Sequence, residues 1–198
     1  MKTKEKNITL NSLLDFISEA GMLKRVYRSG WSVLGIKNAE SVAEHSFRCA
    51  VVGYILACLE KVSPYKVILM TLFGDMQEAR ITDLHKMAQR YIDTLVVENT
   101  SFFEQVNFLP AKIKKELIRM REEYTAQESF ESIVARDADI LECLIQAKEY
   151  REYGYSEAVK FMKKAPRFLK TKSAKKIWRL AKNRPLNNWW FDLTEFKR

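Results

Sequence analysis

The sequence predicts an all-α protein, and three observations carry this prediction. Apolar residues recur at intervals of three and four along most of the chain, as they do on the buried face of a helix. Alternating apolar and polar runs between turn residues, which are typical of strands, are nearly absent. The 198 residues include four prolines and six glycines and are 47% apolar, so a single domain over residues 1–198 can bury its own core.

Six helical segments follow from the spacing, and end signals support several of their boundaries. Asn11 and Ser12 can cap the first segment, and residues 40–44 resemble a capping box before the second. Pro64 and Pro110 suit the first turns of two later helices. The predicted segments are Leu10–Leu23, Val42–Leu59, Val67–Leu72, Leu84–Val97, Ile113–Tyr124 and Phe130–Tyr150.

A non-helical stretch, residues 25–38, separates the first two segments. It contains two glycines, paired arginines and Trp31. Loops held by a rigid scaffold often carry function, so we expect this stretch to be a binding loop.

The net charge of +9 is concentrated near the C-terminus. Residues 159–198 contain 13 Lys and Arg but two acidic residues, and they include Trp178, Trp189, Trp190 and Phe191. Such a segment can bind nucleic acid through its cations and stack bases on its aromatic rings. We favour the other interpretation, a helix with a solvated basic face whose aromatic side chains pack on the domain. Basic surface near an active site would also attract an anionic substrate.

The cysteines and the apolar runs bear on location. Cys49, Cys58 and Cys143 lie in apolar helical stretches, are odd in number and show no C-x-x-C spacing. We therefore expect buried thiols in a reducing compartment. No continuous apolar run approaches the ~18 residues of a membrane span. The expectation is a cytoplasmic protein that does not contact a membrane.

An imidazole and several carboxylates recur on the predicted helical segments. His45 lies near the start of the second, Asp75 follows the third, and Asp139 lies within the last. Packed side by side, these helices could point the three side chains into one cavity, where they would suit a borderline or hard divalent ion. Glu78 is three residues after Asp75 and can reach that cavity if the helix continues. Asp83 could return to it from the next turn.

The combination of these residues indicates a site more than any one of them does. A single helical histidine is more often structural, and helical carboxylates are usually solvated. A divalent ion held by the combination would lower the pKa of bound water and polarise a phosphoryl oxygen. A nearby carboxylate would then serve as general acid or base.

Four stretches resemble the HD-domain metal-dependent phosphohydrolases, and more narrowly their 5′-deoxynucleotidase (YfbR-like) branch. The family pattern is a histidine, then a His-Asp pair, then a distant aspartate. The resemblance covers about residues 13–150 and implies a single helical HD domain that forms a homodimer, with basic helices of about residues 155–198 packed around its rim. The matching stretches are residues 23–31 (LKRVYRSGW), 40–46 (ESVAEHS), 74–84 (GDMQEARITDL) and 138–143 (ADILEC).

The resemblance assigns a role to each matching acid and histidine. His45, Asp75 and Asp139 match three of the family's four protein metal ligands. Glu78 matches the general acid or base, and Asp83 matches the carboxylate that contacts the sugar hydroxyl. Co, Mn, Mg, Fe and Zn all suit one imidazole and two carboxylates, so the sequence does not choose among these ions.

The resemblance also indicates which residues bind the substrate. Trp31 matches the tryptophan of the substrate pocket. Gly30 precedes it where some members have arginine, so Arg28 is the nearest candidate for the phosphate, with Lys24 and Arg25 as further candidates. The implied reaction is hydrolysis of a 2′-deoxynucleoside 5′-monophosphate to nucleoside and phosphate.

Gly74 stands where the family has the histidine of its His-Asp pair. Glycine offers no side-chain ligand, so three protein ligands remain. Water, buffer, substrate phosphate or His85 could fill the vacancy in a working enzyme. Alternatively, the site is degenerate and the protein is a non-catalytic nucleotide or nucleic-acid binder, or the glycine is an inactivating substitution or a sequence error. The intact Glu78 and Asp83 favour the catalytic interpretation.

Overall fold

The computed structural model describes residues 10–194 and confirms the all-α prediction. Within this range the only pairing of extended backbone is an isolated bridge between Tyr27 and Ser41. The α-helices are α1 (Leu10–Met22), α2 (Ser29–Ser32), α3 (Val42–Glu60), α4 (Pro64–Leu72), α5 (Glu78–Ile81), α6 (Thr94–Val106), α7 (Ala111–Ala126), α8 (Phe130–Glu152), α9 (Val159–Lys164) and α10 (Lys172–Asn183). Short 3-10 segments cover Ala88–Arg90, Ser156–Ala158, Ala165–Phe168 and Leu186–Thr194.

Polar caps set the starts of the three helices that surround the site. Ser41 Oγ accepts a hydrogen bond from the Glu44 backbone N–H, and the Glu44 side chain accepts one from the Ser41 backbone N–H. The predicted capping box therefore opens α3. Ser63 caps α4 immediately before its first residue, Pro64. Ser129 caps α8 in the same way.

Other predicted boundaries differ from the structure. Asn11 and Ser12, predicted as caps, lie inside α1. The helix predicted over residues 84–97 is wrong in position, because Asp93 accepts a hydrogen bond from the Val96 N–H and α6 begins at Thr94. Residues 83–93 are mostly irregular and are free to line a cavity.

Two groups of buried apolar side chains form the core, and the turn that carries Asp75 passes between them. The larger group includes Leu141 of α8, and the smaller includes Phe102 of α6. Met70, before the turn, packs in the larger group, and Met76, within it, packs in the smaller. The turn is therefore held at both ends, and this fixes the position of Asp75.

The segment after α8 packs back onto that helix. Asp137 of α8 is buried and accepts hydrogen bonds from the backbone N–H groups of Lys170 at 2.9 Å and Thr171 at 2.6 Å. The expectation that the C-terminal aromatic side chains pack on the domain is correct for Trp178, which is buried in the larger core group. It is wrong for three exposed side chains, Trp189, Trp190 and Phe191.

α3 is the one helix among those described whose length and composition would suit a membrane span, with a mean hydropathy of 1.3. It packs against α4 and α8 and carries the buried His45 and Cys49, as a core helix of the same composition does. Another face of α3 is apolar and exposed, and we call it the α3 face. It comprises Phe47, Val51, Tyr54, Ile55 and Leu59.

The three cysteine thiols are free, but they differ in exposure. Cys49 is buried and Cys143 is partly buried. Cys58 is exposed on α3, so the prediction of a buried thiol is wrong there.

Candidate active site

His45 brings three predicted ligands together. Its Nε2 lies 3.5 Å from Asp75 Oδ2 and 3.3 Å from Asp139 Oδ1. The capping box places His45 in the first turns of α3, where its side chain is buried. Asp139 comes from α8 and Asp75 from the turn between α4 and α5. Three separate elements of the fold therefore converge on one imidazole nitrogen.

Glu142 fixes the orientation of the His45 ring. Its Oε2 lies 2.5 Å from His45 Nδ1, and its side chain is fully buried. Arg48 of α3 donates a hydrogen bond to Glu142 Oε1 at 2.8 Å and reaches Glu149 at 2.7 Å. With Nδ1 donating to Glu142, the lone pair of Nε2 faces the two aspartates.

The surrounding carboxylates favour a cation at Nε2. Burial and the charge of Arg28 lower the pKa of His45, but hydrogen bonds with Asp139 and Glu142 outweigh them and raise it to about 10. A proton and a metal ion compete for the same nitrogen and respond to the same negative potential.

The two separations measured at His45 Nε2 suit a divalent metal ion. Ligands about 2.0–2.2 Å from one ion lie roughly 3 to 3.5 Å from each other, and the separations of 3.5 and 3.3 Å at His45 Nε2 agree with this. A hydrogen bond from the other ring nitrogen to a carboxylate is usual for a metal-binding histidine. Among the described residues, the group of three whose ligand atoms all lie within 4.8 Å of one another is a different one, Glu40, His45 and Glu142. That group is less suitable, because Arg48 already neutralises Glu142 and the Trp31 indole donates to Glu40.

The backbone at Gly74 leaves no room for a side chain. A Cβ atom there would lie 2.7 Å from the backbone oxygen of Met70, closer than real Cβ contacts. The obstacle is the backbone of α4, which cannot rotate aside as the tip of a flexible side chain can. A histidine at this position therefore requires the turn before Asp75 to move.

Arg121 of α7 holds this same turn. One guanidinium nitrogen donates to the Gly74 carbonyl oxygen at 2.9 Å and to Gln77 Oε1 at 3.0 Å. The others donate to Glu98 at 3.0 Å and Asn99 at 3.2 Å, both on α6. Because the side chain is buried, α6 and α7 together fix the turn that presents the aspartate.

Glu78 begins α5 on the wall of the cavity. Its side chain is buried, and its Oε2 has no hydrogen-bond partner within the described residues. Burial raises the pKa of Glu78 well above its ordinary value, and the charges of Asp75 and Asp83 raise it further. A carboxyl group that holds its proton in this way can act as a general acid.

Arg28 lies between two of the predicted acidic residues. Its Nη1 is 3.6 Å from Asp75 Oδ2 and 4.0 Å from Asp83 Oδ1. Asp83 also accepts a hydrogen bond from the Ser29 backbone N–H at 2.7 Å. The structure therefore brings Arg28 and Asp83 to the same group as the candidate ligands.

Trp31 supports the cavity wall from within the core. Its side chain is 2% exposed, and its indole N–H donates to Glu40 at 2.9 Å. The ring packs against Tyr150 and Phe161, with centroid separations of 5.2 and 4.7 Å. This packed residue also belongs to the cavity lining.

Lys24 and Arg25 are not brought to this group. Both are exposed, and neither lines the cavity that contains Asp75 and Glu78. The chain passes through the buried Val26 between these two residues and Arg28. The predicted contact of Lys24 and Arg25 with phosphate gains no support from this placement.

His85, considered above as a replacement ligand, lines the cavity but is held within its own turn. Its Nδ1 accepts a hydrogen bond from the Ala88 backbone N–H at 3.1 Å. His45, by contrast, meets both aspartates directly.

The group opens onto a cavity of about 730 Å³, a volume suited to a small-molecule ligand. Apolar walls come from the 83–98 segment and from the region after α8, and they include Leu84, Met87, Leu95, Phe161 and Phe168. Among the described residues, four side chains on the cavity lining carry a positive charge: Arg28, Lys86, Arg121 and Arg136.

Three further residues of the site, Glu142, Arg136 and Arg48, are absent from the candidates predicted from the sequence. Glu142 lies three residues after Asp139 and Arg136 three residues before it, so helical spacing puts both beside that ligand on α8. Arg48 stands three residues after His45 on α3. This spacing is the signal that identifies them.

Known proteins resemble the chain in sequence. Residues 20–178 match the model of the HD domain family. The human 5′-deoxynucleotidase HDDC2 is 30% identical over 142 residues, which are 71% of this chain and 69% of the human protein.

Solved structures resemble it in fold. A conserved hypothetical protein from Pyrococcus furiosus has a TM-score of 0.71 at 30% identity, covering 86% of this chain and 99% of that one. A predicted metal-dependent phosphohydrolase from Magnetospirillum magnetotacticum has a TM-score of 0.71 at 21% identity, covering 91% and 94%. The second likeness concerns the fold alone.

Proposed function

The chain belongs to the HD-domain family, and from this premise we propose that it removes the 5′-phosphate from 2′-deoxynucleoside monophosphates with a divalent metal ion. The observation that carries the proposal is the convergence of His45 Nε2 with Asp75 and Asp139, at 3.5 and 3.3 Å, beside the buried Glu78. The human relative is named a 5′-deoxynucleotidase, which supports the same substrate class.

His45, Asp75 and Asp139 would hold the ion. A divalent ion supplies a Lewis acid that polarises a phosphoryl oxygen and lowers the pKa of water. Catalytic metal sites commonly have three protein ligands and leave one position for water or substrate. The lack of a side chain at Gly74 is therefore compatible with catalysis.

Glu78 handles the proton of the reaction. Its burial favours the protonated carboxyl group, and its Oε2 is bonded to no other described residue. As a water oxygen bonds to phosphorus and the bond between phosphorus and the 5′ oxygen breaks, Glu78 gives its proton to the departing oxygen, so the products are the nucleoside alcohol and inorganic phosphate.

Arg28 and Asp83 position the substrate. The Arg28 guanidinium lies between Asp75 and Asp83 and has further N–H groups to offer a phosphate oxygen. The Ser29 N–H fixes the orientation of Asp83. Asp83 then accepts a hydrogen bond from the 3′-hydroxyl of the sugar. The buried Trp31 gives this end of the cavity a rigid wall.

Phosphate release from deoxy- and ribonucleoside monophosphates, with Mn²⁺ or Co²⁺ added, tests the proposal. We expect deoxynucleotides to be hydrolysed faster, and Glu78→Gln to lose roughly 10²–10⁴-fold in kcat at unchanged metal content. Glu122→Gln, on the exposed surface of α7, is the matched control and should retain full activity. No release from any nucleotide by the wild-type protein, or full activity of Glu78→Gln, would contradict the mechanism.

A second candidate function is nucleic-acid binding by the C-terminal segment. It is favoured by the exposure of Trp189, Trp190 and Phe191 in a segment that follows the basic helix α10. Binding of this kind weakens steeply with salt and depends on the aromatic rings. Single-stranded DNA affinity that is equal in the wild-type protein and a Trp189→Ala/Trp190→Ala variant would eliminate this candidate.

We further propose that the protein is a cytoplasmic homodimer. The α3 face supports the dimer, because exposed apolar residues one and two turns apart on a helix suit an interface. The three free thiols support a reducing compartment. Light scattering of the wild-type protein and Tyr54→Lys tests the dimer. A wild-type monomer would rule the dimer out, and a Tyr54→Lys variant that stays dimeric would rule out this face.

A further inference from the structure

Arg136 is a cation of the cavity whose donors are largely unengaged. Arg121 makes four hydrogen bonds, and Lys86 donates to Gln89 at 2.7 Å. The one hydrogen bond of Arg136 to another described residue is long, 3.4 Å from Nη1 to Asp139 Oδ2. A guanidinium has five N–H groups, so most of those on Arg136 remain for a ligand.

The surroundings of Arg136 hold its guanidinium in place without covering it. The group lies 4.7 Å from the centre of the Tyr124 ring, an arrangement that fixes the plane of a guanidinium while its N–H edge stays available. Its side chain is 44% exposed and lies on the cavity lining, three residues before Asp139 on α8. A ligand in the cavity can therefore reach it.

The charges of the proposed site neutralise a bound phosphate only in part. Asp75 and Asp139 offset the two charges of a divalent ion, and His45 binds such an ion as a neutral ring. A phosphate monoester carries about −1.5 to −2 near pH 7. Arg28 contributes one positive charge, but it lies between Asp75 and Asp83 and shares that charge with them. A second cation is needed.

We propose that Arg136 is this second cation and binds the phosphate group of the substrate from α8. The inference rests on the proposed function, since it adds a substrate-binding residue to the same site. Its planar, forked guanidinium matches two phosphate oxygens, which a lysine ammonium cannot match in the same way.

Calorimetric titration of inorganic phosphate into the Mn²⁺-saturated protein tests the inference. We expect Arg136→Gln to weaken phosphate binding at least about tenfold. Arg136→Lys should bind with intermediate affinity, because it keeps the charge but loses the fork. Arg151→Gln, an exposed arginine at the end of the same helix, should bind phosphate as the wild-type protein does.

A purely structural role of Arg136 would give different results. If Arg136 only holds Asp139, Arg136→Gln changes Mn²⁺ affinity and leaves phosphate affinity at saturating Mn²⁺ unchanged. That result overturns the inference, and so does a wild-type protein that binds no phosphate. Phosphate binding that depends on Arg136 without any nucleotide turnover would support this inference and contradict the proposed function. Nucleotide turnover combined with phosphate binding that does not depend on Arg136 would support the proposed function and contradict this inference.

Discussion

Arg121 donates a hydrogen bond to the backbone oxygen of Gly74 at 2.9 Å, and the same nitrogen reaches Gln77 Oε1 at 3.0 Å. One buried arginine thus spans the turn on both sides of Asp75. The backbone of the turn that presents Asp75 is therefore tied to α7.

The Arg121 contacts should make a large contribution to stability. Arg121→Met leaves the partners of the arginine, among them the Glu98 carboxylate and the Gly74 carbonyl, without their hydrogen bonds. We expect a loss of about 3 kcal/mol in the free energy of unfolding, measured by urea denaturation. Arg119→Met changes an exposed arginine on the same helix and should cost little. Equal stability of the two variants would contradict the assignment.

Introducing a histidine at position 74 should not supply a fourth ligand. A Cβ atom there lies 2.7 Å from the Met70 backbone oxygen, so Gly74→His and Gly74→Ala should both lose about 1–3 kcal/mol of stability. Gly74→Ala is the matched control, because it adds the Cβ atom without the imidazole. We expect similar Mn²⁺ affinities for the two variants in calorimetric titrations. A much tighter site in Gly74→His would show that the turn moves and the imidazole binds.

The contact between Glu142 and His45 should govern metal affinity. Glu142 Oε2 lies 2.5 Å from Nδ1 and orients the ring. Glu142→Gln should weaken Mn²⁺ binding about 10–100-fold, as is usual when such a carboxylate is removed. Glu149→Gln alters another partner of Arg48 that makes no bond to the histidine, and it should change Mn²⁺ affinity much less. Similar losses in both would assign the effect to Arg48.

Glu40 should make stability depend on pH. Burial, with the charge of Glu142, raises the pKa of Glu40 from 4.5 to about 7. Between these values the folded protein keeps a proton that the unfolded chain has lost, so the free energy of unfolding falls as pH rises from about 4.5 to 7. Glu40→Gln lacks this loss. Its free energy of unfolding, measured with urea relative to the wild-type protein, should therefore rise by roughly 2 kcal/mol between about pH 5 and pH 8.

Glu44→Gln is the control for this pH dependence. Hydrogen bonds from the Ser41 backbone N–H and hydroxyl lower the pKa of Glu44. Its contribution is complete above the ordinary pKa of a glutamate and is lost only as pH falls below that value. The stability difference between Glu44→Gln and the wild-type protein should therefore be the same at both pH values. If the stability difference between Glu40→Gln and the wild-type protein is also the same at both pH values, the raised pKa of Glu40 is contradicted.

The sequence predicts the helical class and the two aspartates that meet His45 Nε2, because motif residues and helix caps are local signals. It does not predict the direction of Lys24 and Arg25, which depends on how the chain turns after α1. The helix predicted over residues 84–97 is misplaced because apolar residues there line a cavity as well as a core. The crowding at Gly74 is a property of backbone packing against Met70, which residue types do not reveal.

Asp137 and Asp139 are two residues apart on α8 and serve different parts of the protein. Asp139 faces His45, while Asp137 accepts hydrogen bonds from the backbone N–H groups of Lys170 and Thr171. If the C-terminal segment detached, a buried carboxylate would lose its partners on the helix that carries the ligand, at a cost of several kcal/mol. Detachment of that segment and loss of the active site therefore belong to one cooperative opening event, so amide hydrogens in both regions should exchange with solvent together.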